Sequence, residues 1–273
     1  MATPSVPASS VPGSSLPANG EISGAVLLYT RPEPLSLELH QQLKIARSDT
    51  PYGFARNAHI VPIQVTEFGP ASLSYPLIFA GSTYQPMAVL SIRPDESLFI
   101  DEAGAFEPNA YTPAYIRRFP FVLASNEAEG QLIVCVDRAA PMLTTGGGIA
   151  LFENGQPTEF TQQAIQFCSD FETERLRTES FVKTLRELDL FESKQAMVTP
   201  IDPDGTTGTP VQVADYFAVS EEKLNALDAD RLVQLRASGA LQQIYCHLNS
   251  LLNWDRLIAK TLARYPNGAA PNA

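Results

Sequence analysis

Two adjacent arginines, Arg117 and Arg118, sit in a proline-bounded, aromatic-rich stretch that also holds Tyr111, Tyr115, Phe119 and Phe121. Guanidinium groups in such a setting can clamp a carboxylate or phosphate in bidentate fashion while the aromatic walls exclude water. Arg93, at the end of an expected strand, is placed to converge with them. The same arginines have a purely architectural reading, in which one pairs with a core carboxylate such as Glu67 or Glu172 and pins a sheet to a helix. Histidine, the usual proton carrier near neutral pH, occurs only as His40, His59 and His247. His59 opens an expected strand close to Arg56 and Glu67, which makes it a candidate general base or ligand, or a hydrogen-bonded structural residue. His247 flanks an apolar helical stripe and reads as a packing residue.

The motifs that assemble common catalytic centres are absent. The chain has no GxSxG elbow, no HExxH, no phosphate-binding GxxxxGK[ST] loop and no GxGxxG. Gly146-Gly147-Gly148 follows Thr144-Thr145 without a Lys-Ser/Thr behind it, so it reads as a turn before a strand. Asp202 and Asp204 lack the glycine spacing and closing glutamate of a calcium loop and fit a hairpin turn instead. Cys135, Cys168 and Cys246 are odd in number, widely spaced and set in apolar patterns. They read as small core residues in a reducing compartment, with no zinc ribbon or CxxC redox pair. Neither a metal nor a cofactor is expected.

Acids outnumber bases, giving a net charge of −11, which argues against nucleic acid as a partner because phosphate neutralisation needs a Lys/Arg-rich face. Residues 1–24 are rich in Ser and Pro, contain no Lys or Arg and have no apolar h-region. The expectation is a disordered tail at 1–24, one α+β domain over 25–265 and a frayed end at 266–273, located in the cytoplasm. No apolar run is long enough to cross a membrane.

Within the body, short runs rich in Val, Ile, Leu and Phe predict strands at 25–30, 59–64, 76–80, 87–93, 97–101, 121–124 and 132–137, with a further one at 148–153 closed by Asn154-Gly155. Helical turns are expected over 35–42 and from Thr66 to Leu73, and Tyr111–Pro120 reads as a turn or one-turn helix. After Pro157 the apolar period changes to three and four, predicting one long helix over 158–190. Glu174, Arg175 and Thr178 break its stripe. Glu172, Arg175 and Thr178 suggest a buried polar network, shared with Arg117 or Arg118, that docks helix on sheet or lines a pocket. Two strands at 192–201 and 211–219 form a hairpin, Ser220 and Asp228 cap two short helices, and a final helix covers 240–264. The fold class is therefore α+β: short-stranded, mostly antiparallel sheets packed by one long helix, then a hairpin and C-terminal helices.

Two segments carry a resemblance. One runs Tyr52-Gly53-Phe54-Ala55-Arg56-Asn57-Ala58-His59-Ile60-Val61-Pro62-Ile63, continuing through Glu67-Phe68, Tyr75-Pro76-Leu77-Ile78-Phe79 and Tyr115-Ile116-Arg117-Arg118-Phe119-Pro120-Phe121. The other runs Val219-Ser220-Glu221-Glu222-Lys223-Leu224-Asn225-Ala226-Leu227, then Gly239-Ala240-Leu241, Ile244-Tyr245 and His247-Leu248. Glu172, Arg175, Thr178 and Phe181 fall between them. Together these residues resemble the bacterial SapC family over about residues 25–262. The resemblance implies a surface-layer or transport-related setting and carries over no catalytic residue. The function expected is a non-enzymatic binding or accessory protein of a cell-surface or uptake system. It would recognise a peptide or protein through Arg93, Tyr115, Arg117, Arg118, His59 and Glu67. Two other readings stay open: an enzyme using His59 and Glu67 with an arginine anion clamp, and a structural surface-layer component.

Overall fold

The computed structural model describes residues 26–126, 131–199 and 209–265; the expected tails and the 202–208 hairpin loop lie outside these. In chain order the strands are β1 (Pro32–Pro34), β2 (Lys44–Ile45), β3 (Ile60–Pro62), β4 (Leu77–Ala80), β5 (Gln85–Val89), β6 (Phe121–Asn126), β7 (Gln131–Asp137), β8 (Leu143–Thr144), β9 (Ile149–Ala150), β10 (Phe152–Glu153), β11 (Gln156–Pro157), β12 (Phe191–Val198) and β13 (Val211–Val219). The helices are α1 (Leu37–His40), α2 (Phe68–Ala71), α3 (Ala114–Arg117), α4 (Glu159–Glu187), α5 (Glu221–Asn225), α6 (Ala229–Ala237), α7 (Ala240–Ser250) and α8 (Asn253–Arg264). The architecture is α+β with antiparallel pairing, as the sequence implies.

Two sheets flank the long helix α4. One is five-stranded, in the order β12-β13-β4-β5-β3, and the other three-stranded, in the order β1-β7-β6. Helix α4 bridges them. Its first turns place Phe160, Ala164 and Cys168 against Phe121 and Val136 of the three-stranded sheet. Its later turns place Phe171, Phe181, Val182 and Leu185 in the main core with Phe68, Phe79 and Phe191. Three- and four-residue spacing keeps both sets on one side of the helix.

The helix ends are locally encoded. Thr158 caps α4 by accepting from the Thr161 N–H. At the other end Asp189 takes a left-handed φ of 52°, the Leu190 N–H donates to Leu185 and the Asp189 N–H to Arg186. This is the paired-bond stop usually built on glycine, here on aspartate. Ser220 and Asp228 cap α5 and α6 as expected.

Several expectations need correction. Residues 26–30 form a turn, not a strand: the Tyr29 N–H donates to the Val26 carbonyl at 3.0 Å with Leu28 at φ 75°, and the Tyr29 hydroxyl donates to the Phe121 carbonyl at 2.6 Å. Stretch 97–101 contributes only an isolated bridge, Ile100 to Phe106, so its apolar side chains serve the core without a ladder. The turn after β3 begins at Val65 rather than at Thr66, capped by Gln64 with Glu67. Segment 148–153 is split into β9 and β10, and the Asn154-Gly155 turn joins β10 to β11 with φ of 50° and 75°, the pairing that a tight two-residue hairpin requires. The single C-terminal helix is instead α7 and α8. Asn253 Nδ2 donates to the Ser72, Tyr75 and Ser250 carbonyls, and Ser250 Oγ accepts from the Leu77 N–H, so tertiary bonds interrupt an unbroken apolar stripe.

Candidate functional site

Between α4 and the segment joining α3 to β6 lies an open cleft of about 410 Å³. One wall is Phe160, Gln163, Ala164 and Phe167, successive positions on one face of α4. The opposite wall is Arg117, Arg118, Phe119, Pro120 and Phe121, with a cis bond at Phe119–Pro120. Ile45, Ala46, Ser48, Pro51 and Met142 close the end. No acidic residue is among those lining it.

Arg117 is held from behind. Its Nε donates to the Thr112 carbonyl at 3.0 Å and its Nη2 to the Tyr111 hydroxyl at 3.1 Å. The guanidinium carbon lies 5.2 Å from the centre of the Phe167 ring. The Tyr111 hydroxyl in turn donates to Glu67 Oε1 at 2.9 Å, and that oxygen also accepts from the Ala114 N–H at 2.7 Å. Glu67 Oε2 accepts from the Gln64 N–H at 2.9 Å. Burial pushes the Glu67 carboxyl above the usual range, partly offset by these donors and by the Arg117 charge. Burial likewise lifts the Tyr111 phenol to about 12, helped by the neighbouring Glu67.

Arg118 is held by rings. Its guanidinium lies 4.1 Å from the Tyr115 ring centre and 4.4 Å from that of Phe171, with Tyr29 at 5.5 Å. Its Nε is buried without a hydrogen-bond partner. Stacking on aromatic faces contributes about 0.5–2 kcal/mol per contact, depending on desolvation. Neither arginine forms an ion pair with a carboxylate among the described residues.

The sequence-derived candidates therefore separate. Arg117 and Arg118 face the cleft, while Tyr115 floors Arg118 and donates to the Leu27 carbonyl at 3.0 Å. Glu67 acts one step removed, through Tyr111. Arg93 does not line the cleft; it lies 3.8 Å from Glu96 and 4.3 Å from the Tyr265 ring centre. His59 is half-buried near Asp95, away from the bonds that hold Glu67, and burial holds its pKa below the ordinary value.

The polar break in α4 forms two units, and neither contains Arg117 or Arg118. Glu172 takes Arg175 in a bidentate pair at 2.7 Å, with Glu179 on the same guanidinium. Three- and four-residue spacing on a helix surface is enough to account for this capture. Thr178 is buried; its hydroxyl accepts from the Val65 N–H at 2.9 Å and sits 2.9 Å from Gln64 Oε1. Sequence reading missed the cleft wall on α4, although Phe160, Ala164 and Phe167 at helical spacing carried the signal. Tyr111 as the link between Glu67 and Arg117 had no local signal.

The remaining histidines and thiols are structural. His40 lies between the Ser36 N–H and Glu33 Oε1, and His247 accepts from the Val219 N–H and donates to the Leu77 carbonyl. Burial raises the Cys135 thiol to about 12 and the Cys168 thiol to about 11, which keeps both protonated at neutral pH. Among the described residues no group of His, Cys, Asp and Glu is gathered that could hold a metal ion, and no helix is long and apolar enough to cross a membrane.

Among known families, the model of the SapC family matches residues 35–257, most of the chain. No curated protein and no solved structure matches.

Proposed function

The chain belongs to the SapC family, and we propose that it is a non-enzymatic binding protein that takes a peptide or protein partner in the cleft between α4 and the Arg117–Phe121 segment. The observation that carries this reading is a concave, aromatic-walled site that contains two arginines and no acid, in a chain whose net charge is −11. Guanidinium groups kept at a cleft without a carboxylate partner among the described residues oppose the charge of so acidic a protein, and a cleft lined by one sign of charge concentrates ligands of the other. Apolar pockets with a few fixed polar groups are the usual form of binding sites.

The reading extends to a cell-surface or uptake system, and to a cytoplasmic location, which the buried reduced cysteines Cys135 and Cys168 support. The acidic balance supports a partner other than nucleic acid.

A displayed-peptide selection on the purified protein tests the assignment. Sequences enriched on the wild type should be lost on the Arg117→Ala, Arg118→Ala double variant, with circular dichroism confirming that the variant is folded. Equal enrichment on both proteins would remove the cleft from the proposal.

A further inference from the structure

We propose that the group recognised in this cleft is a carboxylate at the end of a peptide chain whose last side chain is apolar. The inference rests on the binding reading above and deepens it.

Three observations select this chemistry. First, the Arg117 fork is half committed. Nε and one Nη2 hydrogen are used on Thr112 and Tyr111, leaving Nη1 and the second Nη2 hydrogen as a pair of parallel donors. That edge matches the two oxygens of one carboxylate. Second, the anchor is pre-positioned. The Glu67–Tyr111–Arg117 chain fixes the fork before any ligand arrives, which reduces the ordering cost of binding. Third, the walls beside the fork are rings and methylenes: Phe119, Phe121, Phe160 and Phe167, with Met142 at the end. An inorganic anion would gain nothing from such walls. An acidic side chain within a continuous peptide would have to carry its own polar backbone along them. A chain terminus places one carboxylate and one apolar side chain on the same carbon, and a volume of about 410 Å³ admits a residue or two rather than a folded surface. Cationic ligands are disfavoured by Arg117 and Arg118 themselves.

The test uses short fluorescein-labelled peptides ending in Phe, Trp, Leu or Met, each made with a free C-terminal carboxylate and as the amide, read by fluorescence polarisation on the full chain. At least one free-acid peptide should bind about tenfold or more tightly than its amide. Arg117→Gln should weaken the free acid by about ten- to a hundredfold and leave the amide unchanged. Gln163→Glu places a carboxylate on the exposed helical wall with little effect on folding. It should also weaken the free acid selectively. Acid and amide binding equally well would overturn the carboxylate while leaving the binding reading intact. Phenylacetate competing as effectively as the peptide would assign the site to a small carboxylic acid instead and overturn the proposal. If no peptide binds, the terminal-carboxylate inference is wrong, and the displayed-peptide selection decides separately whether the cleft binds anything.

Discussion

His247 offers the sharpest quantitative prediction. Its ring is buried in α7, with Nε2 accepting from the Val219 N–H at 3.0 Å and Nδ1 donating to the Leu77 carbonyl at 2.9 Å. It thus stitches β13 and β4 together where their register pairs only Phe217 with Phe79. Burial lowers its pKa from 6.5 to about 4, the bond to Leu77 opposing the shift. A depressed histidine pKa means that the neutral ring belongs to the native state. Its contribution is complete above pH 6.5 and is lost as the pH falls towards about 4. At pH 5 the unfolded ring is charged and the folded one is not, so the loss is about 1.5 pK units, or about 2 kcal/mol; by pH 4 it reaches about 3 kcal/mol. His247→Phe keeps the ring but orphans the Leu77 carbonyl and the Val219 N–H, at a cost of about 2–4 kcal/mol at neutral pH. Urea unfolding of both proteins at pH 7, 6 and 5, followed by the fluorescence of Trp254, the only tryptophan, gives the gap between them. That gap should narrow by about 2 kcal/mol between pH 7 and 5. The raised Glu67 carboxyl titrates with the opposite sign, favouring the fold as pH falls, and His59 also contributes, but both are present in each protein and cancel. A gap independent of pH would refute the burial argument for His247.

Two further changes probe how the walls of the cleft are held. Thr178→Val preserves shape but leaves the buried Val65 N–H unpaired, and should cost about 1–3 kcal/mol in urea unfolding, with Thr178→Ser recovering most of it. Gly148→Ala would put a methyl group 2.4 Å from the Ile45 carbonyl oxygen at a φ of 142°, so it should destabilise by more than about 1 kcal/mol and disturb the β2–β9 pairing, whereas Gly147, with open space around it, should tolerate alanine within about 0.5 kcal/mol in the same assay.

Much of the secondary structure was legible because its signals are local. Thr158, Ser220 and Asp228 announce helix starts through bonds to N–H groups three residues away. Elements whose existence depends on a distant partner were not legible. Strands β1, β2 and β8 are two or three residues long, and β2 is a strand only because β8 and β9 pair with it. Apolar character alone misled at 26–30 and 97–101, where side chains fill the core while the backbone turns or bonds elsewhere.

The same division runs through the cleft. By itself the sequence determined the ingredients: an arginine pair among aromatics, an acidic chain around it, a long helix with a three-and-four stripe, and the family resemblance that a match over residues 35–257 bears out. Whether Arg117 or Arg118 meets Glu67 could not be read there, since that is a competition among distant groups, whereas the capture of Glu172 by Arg175, three residues on along one helix, follows from local spacing. Tertiary structure decided the first. Glu67 is satisfied by the Gln64 and Ala114 amides and the Tyr111 hydroxyl, and Glu172 is taken by Arg175 on its own helix. With both carboxylates occupied, Arg117 keeps a free edge and Arg118 is left stacked on Tyr115 and Phe171.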